Sequence, residues 1–281
     1  MTVPEIFDRA ARRRRRDRIV GGYPDHAFLR EAMVDGLAER LAGVSREFTD
    51  ILDLGCFDAG FVPRPGARIA RCDAGAAFAR AAGGVQADED RLPFSDESFD
   101  LVVSAGVLDQ INDLPGALTL IRRVLRPDGL FLGAFIGGSS LPKLRAALRS
   151  AQADRPAARL HPAIDLRSAG DLLARAGLTL PVADVETLTV RYAGVGRLFE
   201  DLRGMGASNL LTGRTPMTRG EVARAAAAFT KAAGPDGRTA ERFDLIFLTA
   251  WSPSPTQPRP AARGSGRMSL ATALERFAKP D

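Results

Sequence analysis

The chain has 281 residues, 45% apolar and 26% charged, enough for one sizeable core with appendages. Its longest apolar run, Leu130 to Ile136, is too short to span a bilayer, and no apolar signal-peptide region accompanies the N-terminal arginines. The two cysteines, Cys56 and Cys72, fall at predicted buried strand ends, which argues against a disulfide framework and for a reducing compartment.

The net charge of +5 comes from the two ends of the chain. Residues 1–24 carry seven arginines against three acids, and residues 252–281 carry five basic residues against two acids, so the part between them is nearly neutral. The run Arg12 to Arg16 suits either a patch for nucleic acid or anionic lipid, or a solvated basic helix face. We favour the solvated face, because no aromatic residues are interleaved with the arginines, and we expect no specific nucleic-acid binding.

After this segment, apolar residues at four-residue steps predict an amphipathic helix over residues 25–43. Next, Ile51-Leu52-Asp53-Leu54-Gly55 reads as a buried strand that ends in a carboxylate and breaks into glycine, as at the nucleotide-binding turn of an open α/β sheet. A second predicted strand, residues 68–73, ends in Asp73, where such folds hold the ribose hydroxyls of a cofactor.

The connection between these two strands is unusual. Parallel neighbours are normally joined through a helix, yet this segment contains Pro63 and Pro65. We therefore predict an irregular loop over residues 57–67.

The remaining pattern alternates helices and strands, as in an α/β fold. Asp113 is the predicted N-cap of one helix, with Pro115 in its first turn. Helices are predicted at residues 75–82, 113–125, 140–151 and 168–176, and strands at residues 85–87, 99–104, 130–136, 180–190 and 243–250.

Three further pieces are more specific: Leu92-Pro93-Phe94, Ser98-Phe99-Asp100-Leu101-Val102 and Leu125-Arg126-Pro127-Asp128-Gly129. Together with the Asp53 and Asp73 turns, they resemble the class I S-adenosylmethionine-dependent methyltransferases. That resemblance implies a Rossmann-like α/β fold with a seven-stranded, mostly parallel sheet and an antiparallel strand near the C-terminus.

The resemblance also implies S-adenosylmethionine as cofactor. Asp53 and Gly55 would shape its methionine end, Asp73 would take the ribose, and Asp88 and Glu89 the adenine, although the last two equally suit a charged loop. The full expected set of cofactor-binding residues is Asp53, Gly55, Cys56, Asp73, Asp88, Glu89 and Ser104. We assign no catalytic residue and no metal ligand.

Two positions in the first turn depart from the superfamily pattern. Phe57 and Ala59 stand where glycine is usual, and a side chain at a point of close backbone approach takes room from the ligand.

One motif in the second half points to a subfamily within this superfamily. It is Asp201-Leu202-Arg203-Gly204-Met205-Gly206-Ala207-Ser208-Asn209. With Ile6-Phe7-Asp8-Arg9 and Asn112-Asp113-Leu114-Pro115, it is similar to the methyltransferase-like assembly factors of respiratory complex I. Malonyl-carrier-protein methyltransferases are similar to a lesser degree. Members of the assembly-factor group are described as hydroxylating an arginine of a complex I subunit, with S-adenosylmethionine as ligand. The chain departs from that pattern at Asp109 and Gln110, where the group shows His-Trp, and after Trp251.

Two functions of different class follow. The first, towards which the sequence leans, is an S-adenosylmethionine-dependent enzyme acting on a protein arginine or a carrier-bound acid. The second is a degenerate relative that binds a partner and does no chemistry. By resemblance the partner is a complex I subunit, and the location is the bacterial cytoplasm or the periphery of the inner membrane.

The proposed division of the chain is a basic segment 1–24, a domain 25–251, a Pro/Gly-rich extended linker 252–268 and a short amphipathic helix 269–281. That helix would dock on its own domain or, alternatively, in a partner groove, and we favour its own domain.

Overall fold

The computed structural model describes residues 5–152, 157–258 and 269. A seven-stranded sheet forms its centre, in the order β3-β2-β1-β4-β5-β7-β6. Strand β7 runs antiparallel to β5 and β6, and the other pairs are parallel, which confirms the predicted fold class. The strands are β1 Asp50–Leu54, β2 Arg68–Asp73, β3 Val85–Gln86, β4 Phe99–Ala105, β5 Leu125–Ile136, β6 Thr179–Tyr192 and β7 Thr239–Trp251.

Helices cover both faces of the sheet, and a 3₁₀ segment, Val20–His26, precedes the second of them. Asp113 caps the fourth helix by accepting from Gly116 N, as predicted. The helices are α1 Arg9–Ile19, α2 Phe28–Ala42, α3 Ala76–Ala81, α4 Leu114–Val124, α5 Pro142–Ala151, α6 Leu166–Arg175, α7 Val195–Gly204 and α8 Arg219–Lys231.

Two predictions about connections have different outcomes. No helix lies between β1 and β2, a stretch that the structure describes in full, which confirms the irregular loop over residues 57–67. By contrast, strand β5 begins at Leu125 and not at residue 130 as predicted, so residues 127–129 belong to the strand. The strand is irregular there, because Asp128 has a φ of 62°. The register between β4 and β5 also shifts, between Phe99 and Leu101.

The core has two halves because successive strand residues point to opposite faces. Ile51 belongs to the cluster beneath α2, α5, α7 and α8, whereas its neighbour Leu52 belongs to the cluster beneath α3, α4 and α6. A sheet buried on both faces leaves its strand ends as the places where polar side chains can gather.

The start of the tail does not match the predicted unpacked linker. Ser252 is buried and its N–H donates to Gly129 O at 2.8 Å, while Gln257 Nε2 donates to Asp128 Oδ1 at 3.0 Å. These polar contacts tie residues 252–258 to the beginning of β5. The predicted helix 269–281 lies outside the described residues, apart from Ser269, and the division into domains stays a prediction.

In the part of the chain that the structure describes, no helix is both long and apolar enough to cross a membrane.

Candidate functional site

Four acidic residues and one serine that were singled out in the sequence lie at one edge of the sheet. Because β1 is parallel to both β2 and β4, the carboxyl ends of these strands meet there. We call this group the cofactor edge; its members are all buried and are Asp53, Asp73, Asp88, Glu89 and Ser104. The sequence therefore located a real cluster, and the part that each member plays stays a prediction.

Asp73, the expected ribose ligand, already has four hydrogen-bond donors within the chain. Its Oδ1 accepts from Arg16 Nε at 2.8 Å and from Gly75 N at 2.7 Å, and its Oδ2 accepts from Arg16 Nη2 and from Phe57 N at 3.0 Å. Burial acts to raise the pKa of this carboxyl, but Arg16 and the backbone N–H groups outweigh burial and hold the pKa below its ordinary value. A carboxylate has about four lone-pair sites, so Asp73 is saturated.

The acids expected to meet adenine are paired with arginines of the same helix. Arg12 forms a two-pronged bond with Glu89, at 2.6 and 2.7 Å, and both side chains are buried. Arg13 Nη2 lies 2.6 Å from Asp88 Oδ2, and Arg9 pairs with Asp90. These are the strong, charge-assisted kind of hydrogen bond. The carboxylates of this part of the edge are therefore engaged as well.

The four arginines recur along α1 at i, i+3, i+4 and i+7, so they share one face of the helix. We call Arg9, Arg12, Arg13 and Arg16 the arginine face. The prediction that this segment is a solvated basic face was wrong: Arg12 and Arg16 are 5% and 3% exposed. The helical spacing was visible in the sequence, but the acids it meets lie about 60 to 80 positions away, and only folding brings them together.

Residues of the assembly-factor resemblance hold α1 in place. Asp8 caps the helix, and Phe7 exchanges two hydrogen bonds with the Asn112 side chain, at 2.7 and 3.0 Å. At the far side, Arg15 Nη1 donates to the carbonyls of Ser208 and Asn209, at 2.9 and 2.6 Å. The separated motifs of the sequence therefore converge on the docking of one helix.

The turn after β1 keeps a glycine-like backbone at two positions that are not glycine, Phe57 and Ala59. Phe57 and Ala59 have φ of 44° and 61°, in the left-handed region that costs an L residue about 1–2 kcal/mol. The Phe57 ring is buried, stacks on Tyr23 at 5.0 Å and carries the Arg16 guanidinium 3.7 Å above its centre. The side chain that replaces glycine therefore fills the turn together with Arg16.

Two members of the cofactor edge have buried polar atoms that make no hydrogen bond in the described structure. Neither carboxylate oxygen of Asp53 has a hydrogen-bond partner in the described structure, and Arg30 and Arg71 stand 3.9 Å away. Burial raises the pKa of Asp53 to about 6, against the opposing effect of the two arginines. Ser104 Oγ is also buried without a partner there. Unsatisfied buried groups of this kind are costly and mark places where a protein retains polarity for another purpose.

This raised pKa leads to a pH-dependent prediction for Asp53→Asn. As pH rises from about 4 to 6, the unfolded Asp53 ionises before the folded one, so the contribution of Asp53 to the free energy of unfolding falls over that range. Asparagine does not titrate. We therefore expect the variant to match the wild type at pH 4 and to exceed its unfolding free energy at pH 7.5 by about 1–3 kcal/mol. Urea denaturation at both pH values measures this, and a variant less stable at pH 7.5 would show that Arg30 and Arg71 stabilise ionised Asp53.

Cys56 has no nucleophilic character in this setting. Burial, followed by the charges of Asp73 and Asp53, raises the pKa of its thiol to about 12, so the thiol stays protonated at neutral pH. Gly55, with φ of 77°, donates its N–H to Cys72 O at 2.8 Å. The backbone N–H of Gly55 therefore contributes to the joining of the turn to strand β2.

The residues of the cofactor edge, as arranged, do not fit S-adenosylmethionine. The ribose acceptor is saturated, the adenine-side acids are paired with arginines, and Phe57 with Arg16 fills the turn. Among the five side chains of the edge, Asp53 and Ser104 are the two that have buried polar atoms without any hydrogen bond in the described structure.

A separate cavity of about 790 Å³ opens beside this edge. It lies among α5, α7 and the loop around His161, and Asp109, in the segment that departs from the assembly-factor pattern, reaches it from the cofactor-edge side. None of the five members of the cofactor edge lines it. Sequence reasoning did not identify this cavity, because its walls come from segments far apart in the chain.

Comparisons with known proteins agree with the fold and the motifs. The methyltransferase domain family matches residues 52–133. The chain is 34% identical over 284 residues to arginine-hydroxylase NDUFAF5, mitochondrial, of Danio rerio, covering 95% of this chain and 88% of that protein. It is 32% identical to malonyl-[acyl-carrier protein] O-methyltransferase of Halorhodospira halophila, covering 95% of each.

Solved structures show the same architecture. The YcgJ protein of Bacillus subtilis aligns with a TM-score of 0.55 at 15% identity, over 79% of this chain and 99% of that one. A protein of Bacillus halodurans C-125 assigned to the methyltransferases aligns with a TM-score of 0.54 at 16% identity, with the same coverage. The sheet order, the motifs at its carboxyl edge and the two full-length relatives place this chain in the class I S-adenosylmethionine-dependent methyltransferase superfamily.

Proposed function

We propose that the protein is a binding protein of the complex I assembly type, which retains the methyltransferase fold while α1 closes its cofactor site. The observation that carries this proposal is the saturation of Asp73 by Arg16, Gly75 N and Phe57 N. The partner, by sequence resemblance to arginine-hydroxylase NDUFAF5, is a subunit of respiratory complex I.

Charge makes displacement of α1 by the cofactor unfavourable. Ribose hydroxyls and an adenine amino group are neutral donors, whereas Arg16 and Arg12 are cations paired with buried Asp73 and Glu89. If a neutral donor replaced the arginine beside a buried carboxylate, most of the electrostatic attraction that offsets the desolvation cost of that carboxylate would be lost.

The anchoring of α1 supports the same conclusion. Phe7, Asn112 and Asn209 belong to the motifs that define the resemblance, and in this chain they hold α1 on the cofactor edge. These motif residues thereby maintain a closed structure, which is suited to presenting a fixed surface to a partner.

Calorimetric titration with S-adenosylmethionine tests the proposal. We expect no heat and no change in melting temperature for the wild type at about 1 mM ligand. A ligand with a Kd of about 10 μM would then be present at about 100 times its Kd and would add about 2.7 kcal/mol of stability, so binding of that strength would be detected. The double variant Arg16→Ala/Phe57→Gly should gain measurable binding, since it frees Asp73 and restores glycine in the turn. Arg14→Ala, exposed on the same helix, is the matched control and should bind no better than the wild type.

A second candidate function rests on Asp53 and Ser104. Their unpartnered buried atoms favour an S-adenosylmethionine-dependent enzyme, acting on a protein arginine or a carrier-bound acid after α1 withdraws. Wild-type binding in the micromolar range, with a rise in melting temperature, would replace the first proposal with this one.

A further inference from the structure

The cavity beside the cofactor edge has a predominantly apolar wall. Its volume of about 790 Å³ lies in the range of small-molecule sites. Side chains of α5 and α7 and of two loops supply the wall, which includes Leu144, Leu148, Leu160, Phe199, Leu202 and Met217. Such a lining suits an acyl or alkyl chain.

Five arginines also line this cavity, and three of them have no carboxylate partner among the described residues. Arg159 and Arg214 are paired with Glu221 and Asp8. Arg15 and Arg145, in contrast, bond only to backbone carbonyls within the described structure, and burial lowers the pKa of each.

The third, Arg203, is exposed at the cavity, and its side chain makes no hydrogen bond or ion pair with any residue that the structure describes. Three cations without a carboxylate partner around one cavity create a positive potential that an anion would neutralise.

His161 lines the same cavity as Arg15 and Arg145. Its Nε2 accepts from Leu210 N at 2.9 Å, which leaves the other ring nitrogen as the N–H donor. Burial, then the charges of Arg15 and Arg145, lowers the pKa of His161 to about 4, so the ring is neutral at pH 7. A neutral imidazole donor and two arginines in one cavity lining form a set of donors for an acidic group.

Within the described structure, Asp109 is the carboxylate that lines this cavity. Its Oδ1 is buried without a hydrogen-bond partner, and burial raises the pKa of the carboxyl to about 7. A carboxyl that is half protonated at neutral pH offers little charge to a cationic ligand, and in its protonated form it donates a hydrogen bond.

From this arrangement we propose that the cavity binds an anionic amphiphile, an acid with a linear apolar chain, whose head lies at Arg15, Arg145, Arg203 and His161. An arginine side chain would bring a further cation to this positive cavity, so we expect a guanidinium to bind there more weakly than an acid. The inference goes beyond the proposed function and shares one element with it, because Arg15 belongs to α1 and lines the cavity only while α1 is docked.

Titration of the full chain with dodecanoate, below its micelle concentration and without S-adenosylmethionine, tests this proposal. We expect saturable one-to-one binding, at least about tenfold tighter than binding of dodecylammonium or dodecan-1-ol, because each charge-assisted hydrogen bond is worth about tenfold or more. Monododecyl phosphate is titrated in parallel to distinguish a carboxylate from a phosphate head, and tighter binding of either acid supports the proposal.

Two arginines of α5 give a matched pair of variants. Arg145→Gln, which alters the cavity, should weaken dodecanoate binding at least about tenfold, whereas Arg149→Gln, exposed one turn further along and outside the lining, should leave it unchanged. Arg203→Gln, at an exposed position that does not support the fold, should also weaken binding. Equal affinity for all three head groups, preference for dodecylammonium, no binding at all, or equal effects of Arg145→Gln and Arg149→Gln would each overturn the proposal.

Discussion

Replacing Arg16 with methionine should lower the free energy of unfolding by about 3–5 kcal/mol. Arg16 and Asp73 are 3% and 0% exposed, and methionine of similar length leaves the carboxylate buried with only the two backbone N–H donors. The stacking of the guanidinium on Phe57 is lost as well. Urea denaturation at pH 7.5, with wild type and variant compared at equal m-value, measures the difference.

Two further variants distinguish the loss of the Arg16–Asp73 ion pair from a general effect of removing a positive charge. Arg14→Met removes a positive charge from the exposed side of the same helix and should change stability by no more than about 0.5 kcal/mol. The double variant Arg16→Met/Asp73→Asn should recover part of the loss, because no unpaired charge then remains buried. If Arg16→Met were as mild as Arg14→Met, the closure of the cofactor edge by α1 would be wrong.

The pH dependence of the same pair has a definite sign. Because the pKa of Asp73 is lowered in the folded state, its contribution to stability is present above the unfolded pKa and is lost as pH falls through the folded pKa. The gap between wild type and Arg16→Met should therefore narrow as the solution is acidified. A gap that stayed constant into strong acid would point to lost packing of the arginine stem instead of a lost ion pair.

Gly55→Ala should lower the free energy of unfolding by about 2–5 kcal/mol, through backbone strain and a steric overlap together. Gly55 has φ of 77°, and a Cβ there would stand 2.5 Å from Val107 Cγ1 and 2.7 Å from Cγ2. Val107 is fully buried and β-branched, so it has little freedom to move aside. Thermal and urea denaturation of the variant check this expectation.

Gly66→Ala is the matched control in the same loop. Gly66 has φ of 90°, but a Cβ added there would meet no described atom within 4 Å, so the control should show only the backbone strain, about 1–2 kcal/mol. The difference between the two variants then reports the Val107 contact. Equal losses would show that this contact yields freely and that Gly55 is required for its backbone conformation alone.

The architecture and the position of the candidate site could be predicted from the order of the residues. Mostly apolar strands, helices with apolar residues at helical spacing, and the Asp113 cap are local signals whose physical causes lie within a few residues. Pro63 and Pro65 likewise excluded a helix between β1 and β2 without reference to the rest of the chain. The acids of the cofactor edge followed from the topology, because parallel strands end at a common edge.

What these acids bind depends on the folded chain as a whole. The arginine face could be read from its helical spacing, but whether it meets water, a partner or Asp73 and Glu89 depends on where α1 docks. That docking rests on bonds between residues about 100 to 200 positions apart, such as Phe7 with Asn112 and Arg15 with Asn209. The basic cavity has the same origin, since its three arginines without a carboxylate partner among the described residues come from α1, α5 and α7. The net charge of a segment can be counted from the sequence, whereas the pairing and burial of its charged side chains depend on the assembled fold.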